Sequence, residues 1–297
     1  MSAGLPFLAR RAWAAPTTGR TVAEEPWGRL ERLGEGVWAM VSTPLTGDRT
    51  TLCNGGIVAG RSGTLVIEAF ASDRGAQWMT EQARALTGRS PTHVLVTHYH
   101  ADHAAGLRGL VTTPDIALFT TAATRDLVIA RNQDPPSALL AAARVIDPAR
   151  PTRIDLGGRR VVVTPARGHT PSDVSVRVDD PDVVFCGDLV WNGMFPNYVD
   201  AVPSQLSASV LALRSMRAET YVPGHGTIAS PSDLATYIAL LDDVEQAARR
   251  AHERGVTAEA AGAEYRLPTA STNWTLFNPR YFERAIGAWM KELAAPR

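Results

Sequence analysis

Three of the chain's seven histidines and an aspartate fall between positions 98 and 103, in the run Thr97-His98-Tyr99-His100-Ala101-Asp102-His103, directly after the apolar Val94-Leu95-Val96. Whatever fold the chain takes must bring these groups to the end of a strand without leaving them stranded. Imidazole and carboxylate together suit zinc or a similar first-row metal. A strand running on to His100 projects His98 and His100 from one face, because side-chain direction repeats every two residues. Asp102 and His103 then fall at the turn into a helix and approach from another side. One short segment can thus serve two metal positions. A histidine-rich surface loop is the plain alternative.

Downstream partners decide between the two. Gly168-His169-Thr170-Pro171 follows the strand-like Arg160-Val161-Val162-Val163. Cys186-Gly187-Asp188-Leu189 follows Val183-Val184-Phe185, and Pro223-Gly224-His225-Gly226 follows Thr220-Tyr221-Val222. Each stretch places one potential ligand at the end of a short apolar run, beside glycine or proline. Sheet ends with tight turns are where ligands from distant parts of a chain converge. A surface loop does not explain the repetition.

The His-x-His-x-Asp-His motif at His98 to His103, followed by the separate His169, Asp188 and His225, resembles the metallo-β-lactamase-fold metallohydrolases. Order and spacing fit from about residue 30 to residue 230; the C-terminal segment matches only in being helical. The resemblance implies a first metal position held by His98, His100 and His169. It implies a second held by Asp102, His103 and His225, with Asp188 bridging both. Two zinc ions per chain are expected, with iron or manganese as alternatives. Paired divalent ions about 3.5–4 Å apart hold a bridging hydroxide and clamp a developing oxyanion. They lower the pKa of bound water to about 7, so no serine or cysteine nucleophile is required. Asp102 is then the catalytic group that receives or relays the proton.

The resemblance also bears on the substrate. The best-known lactamase branches carry cysteine or serine where this chain has Asp188, whereas branches acting on thioesters, lactones and other esters carry aspartate. Val66-Ile67-Glu68 departs from the family, which usually has aspartate before the first helix; Glu68 is expected to orient a metal ligand as a hydrogen-bond acceptor. Between Asp188 and the next helix lies Trp191-Asn192-Gly193-Met194-Phe195-Pro196-Asn197-Tyr198. Trp191, Asn192, Phe195 and Tyr198 are the expected substrate contacts, as an apolar wall with few polar points. Core packing of an irregular segment is the competing reading. Tyr198, Asn192 or Asn197 is a candidate donor to an oxyanion.

Lys plus Arg equals Asp plus Glu, 30 each, and no basic run stands out. That argues against a nucleic-acid partner, whose phosphates favour clustered cations. No run of about 18 apolar residues offers a membrane span. The expected partner is a small molecule; the sequence is silent on oligomeric state. Ala3 to Ala9 is small and apolar, and Ala12-Trp13-Ala14 before Ala15-Pro16 reads as a small-x-small cleavage site. Residues 1–24 are expected to be a leader, a remnant of an export signal, ahead of a catalytic domain at 25–297. The location is then periplasmic or secreted, and otherwise cytoplasmic. Cys53 and Cys186 read as buried core thiols, and His93 and His252 as structural or solvated side chains.

Strand-like runs at 37–41, 51–59 and 64–69, with Gly60 to Gly63 as a hairpin turn, precede a helix at 73–87 ending before Gly88. Residues 93–97 lead into the motif, a helix follows at 103–110, a strand at 116–119 and a helix to 131. Strands return at 153–156, 160–164, 174–178 and 182–186. Helices capped by Ser204 and Ser230 run to about 217 and 253, and a last one spans 279–293. Two groups of strands with helices outside imply an α/β chain built as an αββα four-layer sandwich. The function expected is hydrolysis of a small ester, thioester, lactone or amide, β-lactams included, by a bridging hydroxide. An iron-dependent dioxygenase acting on a persulfide is the alternative on the same scaffold, and a non-enzymatic metal-binding protein is a third reading.

Overall fold

A computed structural model describes residues 19–43, 48–111, 113 and 115–295. The first sheet begins with β1 (Arg20–Glu25), β2 (Gly28–Gly34), β3 (Val37–Ser42), β4 (Gly55–Ala59) and β5 (Thr64–Ile67). Helix α1 (Asp73–Thr87) and β6 (His93–Leu95) follow, then α2 (Ala101–Ala104), which passes into a 3-10 turn at Ala105–Leu110. β7 (Ala117–Thr121), α3 (Ala122–Arg131), α4 (Ser137–Ala141) and β8 (Arg144–Ile146) complete this half. The second half has β9 (Thr152–Asp155), β10 (Arg160–Ala166), β11 (Asp173–Asp179), β12 (Asp182–Asn192), α5 (Pro203–Ser215) and β13 (Thr220–Gly226). It closes with α6 (Pro231–Glu253), α7 (Ala258–Glu264) and α8 (Tyr281–Leu293).

The eight strands β1 to β8 form one sheet in sequence order, antiparallel up to β5 and parallel from β5 to β8. The other sheet runs β13-β12-β11-β10-β9, with only the β12–β13 pair parallel. Period-two alternation builds the layers. In β3, Val37 and Ala39 enter the core between the sheets, whereas Trp38 and Met40 face outward. In β12, Val183 and Phe185 point inward and Val184 and Cys186 outward. Every one of these side chains is buried, because helices cover both outer faces. Helix α1 brings Trp78, Met79 and Ala83 against Leu30, Met40 and Ile57. On the other side α5, α6 and α8 supply Leu206, Tyr237 and Ile286. The expected αββα sandwich is the architecture observed.

Local chemistry explains several boundaries. Ser72 caps α1 through Gly75 N, and Gly88 ends it in the left-handed conformation. Ser230 opens α6 with a capping box closed by Asp233 and with proline in the first turn. Other boundaries differ from expectation. β6 stops at Leu95, so His98 and His100 lie on a loop and their shared strand face does not exist. The strand expected from residue 51 starts at Gly55, because the backbone of Leu52 is left-handed, with φ 61. Val202, not Ser204, stands at the N-cap of α5, since Pro203 already occupies its first turn. β1, β2, α4, β8 and α7 were not anticipated. The expected leader boundary falls just inside the sheet: β1 pairs with β2 from Arg20 onward. The rest of the leader, residues 1–18, lies outside the described residues. No helix among them is long and apolar enough to cross a membrane. Cys53 and Cys186 are buried free thiols.

One close point of the sheet-to-sheet contact is Gly56 in β4. A Cβ there would lie 2.3 Å from Phe185 Cε1 and 2.7 Å from the carbonyl oxygen of Trp38. Ring and backbone cannot both retreat, so Gly56→Ala overpacks the central layer. We expect a loss of about 1–3 kcal/mol, seen as a lower denaturant midpoint with an unchanged slope.

Candidate metal centre

The expected ligands converge, each delivered by the end of a sheet element. His98 and His100 sit on the loop after β6. Asp102 and His103 begin α2, whose first turn is closed by His103 and Ala104 N–H donating to His100 O, each at 3.0 Å. His169 lies in the β10–β11 turn. The buried Asp173 carboxylate holds that turn, accepting from His169 N at 3.1 Å, Thr170 N at 3.0 Å and Thr170 Oγ1 at 2.7 Å. Asp188 lies within β12, and His225 near the end of β13. Asn54 brackets His225: its N–H donates to Gly224 O at 2.7 Å and its Nδ2 to Gly226 O at 2.8 Å. Gly224 is what lets the carboxylate approach, since a Cβ there would lie 1.9 Å from Asp188 Oδ1.

The donors fall into two groups, His98, His100, His169 and Asp188 on one side and Asp102, His103 and His225 on the other. In the first, His100 Nδ1 is 3.1 Å from His98 Nε2 and 3.0 Å from His169 Nε2. His169 Nε2 is 3.2 Å from Asp188 Oδ2. In the second, His225 Nε2 is 3.1 Å from Asp102 Oδ2, and His103 Nε2 is 3.7 Å from the same oxygen. Asp188 touches both groups, with Oδ1 3.0 Å from His103 Nε2 and Oδ2 3.4 Å from His225 Nε2.

These residues fit a metal on three counts. Donors about 2.0–2.2 Å from a tetrahedral ion stand about 3.3–3.6 Å apart, close to the spacings of the first group. Asp188 Oδ1, His103 Nε2 and His225 Nε2 are buried without a hydrogen-bond partner, a costly state that a cation between them relieves. The electrostatics agree. Burial drives His98 well below the usual imidazole range and His169 down to about 3, leaving both neutral with lone pairs to give. Burial also acts against His225, yet Asp188 and Asp102 together lift it to about 9. Two carboxylates in so little water draw positive charge to this point.

The imidazoles are held from behind. Glu68 Oε1 lies 3.1 Å from His103 Nδ1, and the same carboxylate accepts from Thr97 N at 3.2 Å and Thr97 Oγ1 at 2.5 Å. The glutamate stands where the orienting part expected of it would place it, on a left-handed backbone with φ 77, a strained conformation of the kind that clusters at functional sites. A second holder was not anticipated. Asp200 Oδ2 lies 3.0 Å from His100 Nε2 and accepts from Tyr99 OH, which Arg131 Nη1 supports at 2.7 Å. The His100 Nδ1 is thereby left facing the donors.

A cavity of about 340 Å³ opens over the two groups. Its floor is His100, Asp102, Asp188 and His225; its walls are Leu52, Trp191, Met194, Val199, Phe277 and Tyr281. Of the expected substrate contacts only Trp191 lines it, its ring 4.1 Å from that of His225. The other three are corrected by the structure. Asn192 alternates away along β12 and donates to Thr227 O and Oγ1, both at 3.1 Å. Phe195 packs against Phe282 at 4.7 Å, and Tyr198 is buried in the same helix-covered core. Asn197, weighed as a donor, does border the cavity. Phe277 and Tyr281 come from the C-terminal segment, which is tied to the loop after β12 by Phe195 N to Thr275 O and Thr275 N to Gly193 O, each 2.9 Å. The available signal was the aromatic density of Trp274, Phe277, Tyr281 and Phe282.

Comparison with known proteins gives a consistent placement. The profile of the metallo-beta-lactamase superfamily matches residues 48–225. The hydroxyacylglutathione hydrolase of Acidiphilium cryptum is 30% identical over 221 residues, covering 74% of this chain and 82% of that protein. That of Parasynechococcus marenigrum is 24% identical over 164 residues, covering 53% of this chain and only 59% of its own length. The crystal structure of a metallo-beta-lactamase from Hirschia baltica superposes with a TM-score of 0.61 at 20% identity, covering 72% of this chain and 97% of that one.

If the two carboxylates hold the imidazoles in place, Glu68→Gln and Asp200→Asn should each weaken metal binding about 10–100-fold. Competition against a chromophoric chelator measures this directly; unchanged affinity in both variants would remove them from the site.

Proposed function

The chain belongs to the metallo-beta-lactamase superfamily and is a metal-dependent hydrolase; from that premise we propose that it hydrolyses a small ester, thioester, lactone or amide at a two-metal centre. One observation carries the reading. Two donor groups share Asp188 at the floor of a cavity whose walls are apolar and whose mouth is open.

His98, His100 and His169 would hold one ion, Asp102, His103 and His225 the other, and Asp188 both. Bound there, divalent ions supply Lewis acidity toward a carbonyl oxygen and acidify a water molecule to a pKa of about 7. The chain's own groups do the rest. Asp102 is the acid or base best placed to move a proton: its side chain is 27% exposed toward the cavity and its Oδ2 is 3.1 Å from His225. His225 and His103 lower its proton affinity to about 2 against the opposing effect of burial. It is therefore ionised at neutral pH, able to take a proton from water and return it to the departing oxygen, sulfur or nitrogen. Trp191, its ring tilted 36° against that of His225, closes one side of the floor against solvent. The named curated relatives are hydrolases of an acylated thiol by their names, which supports acyl transfer to water over the oxidative alternative. Asp188 supports an ester or thioester over a dedicated lactam substrate.

Chelation should abolish turnover, and added zinc should restore it. Asp102→Asn should lower kcat about 10²–10⁴-fold, with a smaller loss of metal at the second position. A wild-type rate in that variant would rule out the proton-moving role. Asp188→Ala should lower metal occupancy and activity together, measured by elemental analysis beside kinetics on lactones, thioesters, β-lactams, phosphodiesters and persulfides in parallel.

A further inference from the structure

The cavity has a third kind of surface besides its polar floor and apolar walls. Arg49 borders it and is exposed, and no acidic side chain pairs with it among the described residues. Val199 and Phe277 stand at the same mouth, 52% and 38% exposed. Apolar side chains left this open beside a site are surface that a bound ligand removes from water. Arg49 is the only Lys or Arg among the lining residues, while the floor carries the carboxylates Asp102 and Asp188. Metal ions held there would offset the charge of the floor, and Arg49 is the charged group left at the mouth. At about 340 Å³ the volume is at the low end for small-molecule sites and fits one compact arm.

We propose that the natural substrate is an anionic acyl compound: a cleavable carbonyl at the floor, an apolar arm along Leu52, Met194, Val199 and Phe277, and a terminal carboxylate met by Arg49. The assignment rests on the hydrolytic reading above and narrows it to a substrate class. A guanidinium recognises carboxylate through paired N–H donors, which lysine reproduces only as a point charge. Exposure keeps the contribution modest and salt-sensitive. Arg49 is thus a specificity-determining residue, with no part in the bond that breaks.

The test uses the full-length, metal-loaded chain and mono-4-nitrophenyl esters of straight diacids of four to ten carbons. Each is compared with the 4-nitrophenyl ester of the monoacid of equal length. At one chain length the carboxylate-tailed ester should be preferred about tenfold in kcat/KM, less so at high salt. Arg49→Ala should bring that ratio near one, Arg49→Lys should keep only part of it, and Arg49→Glu should reverse it. Calorimetry gives a readout independent of turnover: the diacid product should bind wild type more tightly than the matched monoacid, and Arg49→Ala should erase the difference. Equal rates for both tails in wild type, or a preference that survives Arg49→Glu, overturns the inference while the hydrolase reading stands. No turnover of any ester, with diacid binding that still depends on Arg49, fails the hydrolytic reading and keeps the anion site.

Discussion

The structure turns on the Asp188 carboxylate, buried among His103, His169 and His225 where water cannot solvate it. Burying a lone carboxylate costs several kcal/mol, and burial does push its proton affinity upward. His225 and His103 outweigh burial and hold it well below the usual carboxylate range. A charge kept in that place on β12 obliges the fold to deliver compensation from three other segments. The sandwich does so because the loop after β6, the β10–β11 turn and the ends of β12 and β13 all open at the same edge. The parallel β12–β13 pair sets Trp191 opposite His225 in register, so the wall of the cavity and one ligand come from a single ladder.

Much of this was legible in the sequence, for identifiable reasons. Metal donors are few residue types with strict chemistry, and His98 to His103, His169, Asp188 and His225 stand out in one dimension. Strands with both faces buried, such as Val183 to Cys186, and helices with strong caps, such as those at Ser72 and Ser230, announce themselves through local composition. Contacts across the chain do not. The Asp200 contact to His100 spans one hundred positions, and no spacing rule links them. Tyr198 and Phe195 looked like wall residues because they follow Asp188 closely, yet the turn of the backbone past Gly193 sends them under the helices. Phe277 and Tyr281, far away in sequence, took that place. β1 and β2 do not stand out in the sequence because arginine and glutamate interrupt their apolar alternation, Glu31 even at a buried position.

The supporting carboxylates divide the labour. Glu68 braces the second group from inside the core, 1% exposed and with Thr97 on both of its oxygens. Asp200 braces the first from the surface, through Tyr99 and Arg131. One is locked by packing and the other by a hydrogen-bonded chain that water can reach. The two donor groups are therefore braced by different means, one from the core and one from the surface.

The Thr275 ladder to Gly193 and Phe195 has a wider consequence. The groups that can do chemistry all lie between His98 and His225, whereas two of the cavity's three aromatic walls, Phe277 and Tyr281, follow a segment tied to the loop after β12 by two backbone hydrogen bonds. Those bonds ask nothing of side-chain identity. Trp274, Tyr281 and Phe282 are also held by the core, but the half-exposed Phe277 is not, so its side chain can change what enters the cavity without disturbing the reactive centre. The residue that shapes the cavity mouth and the residues that hold its floor therefore answer to different constraints.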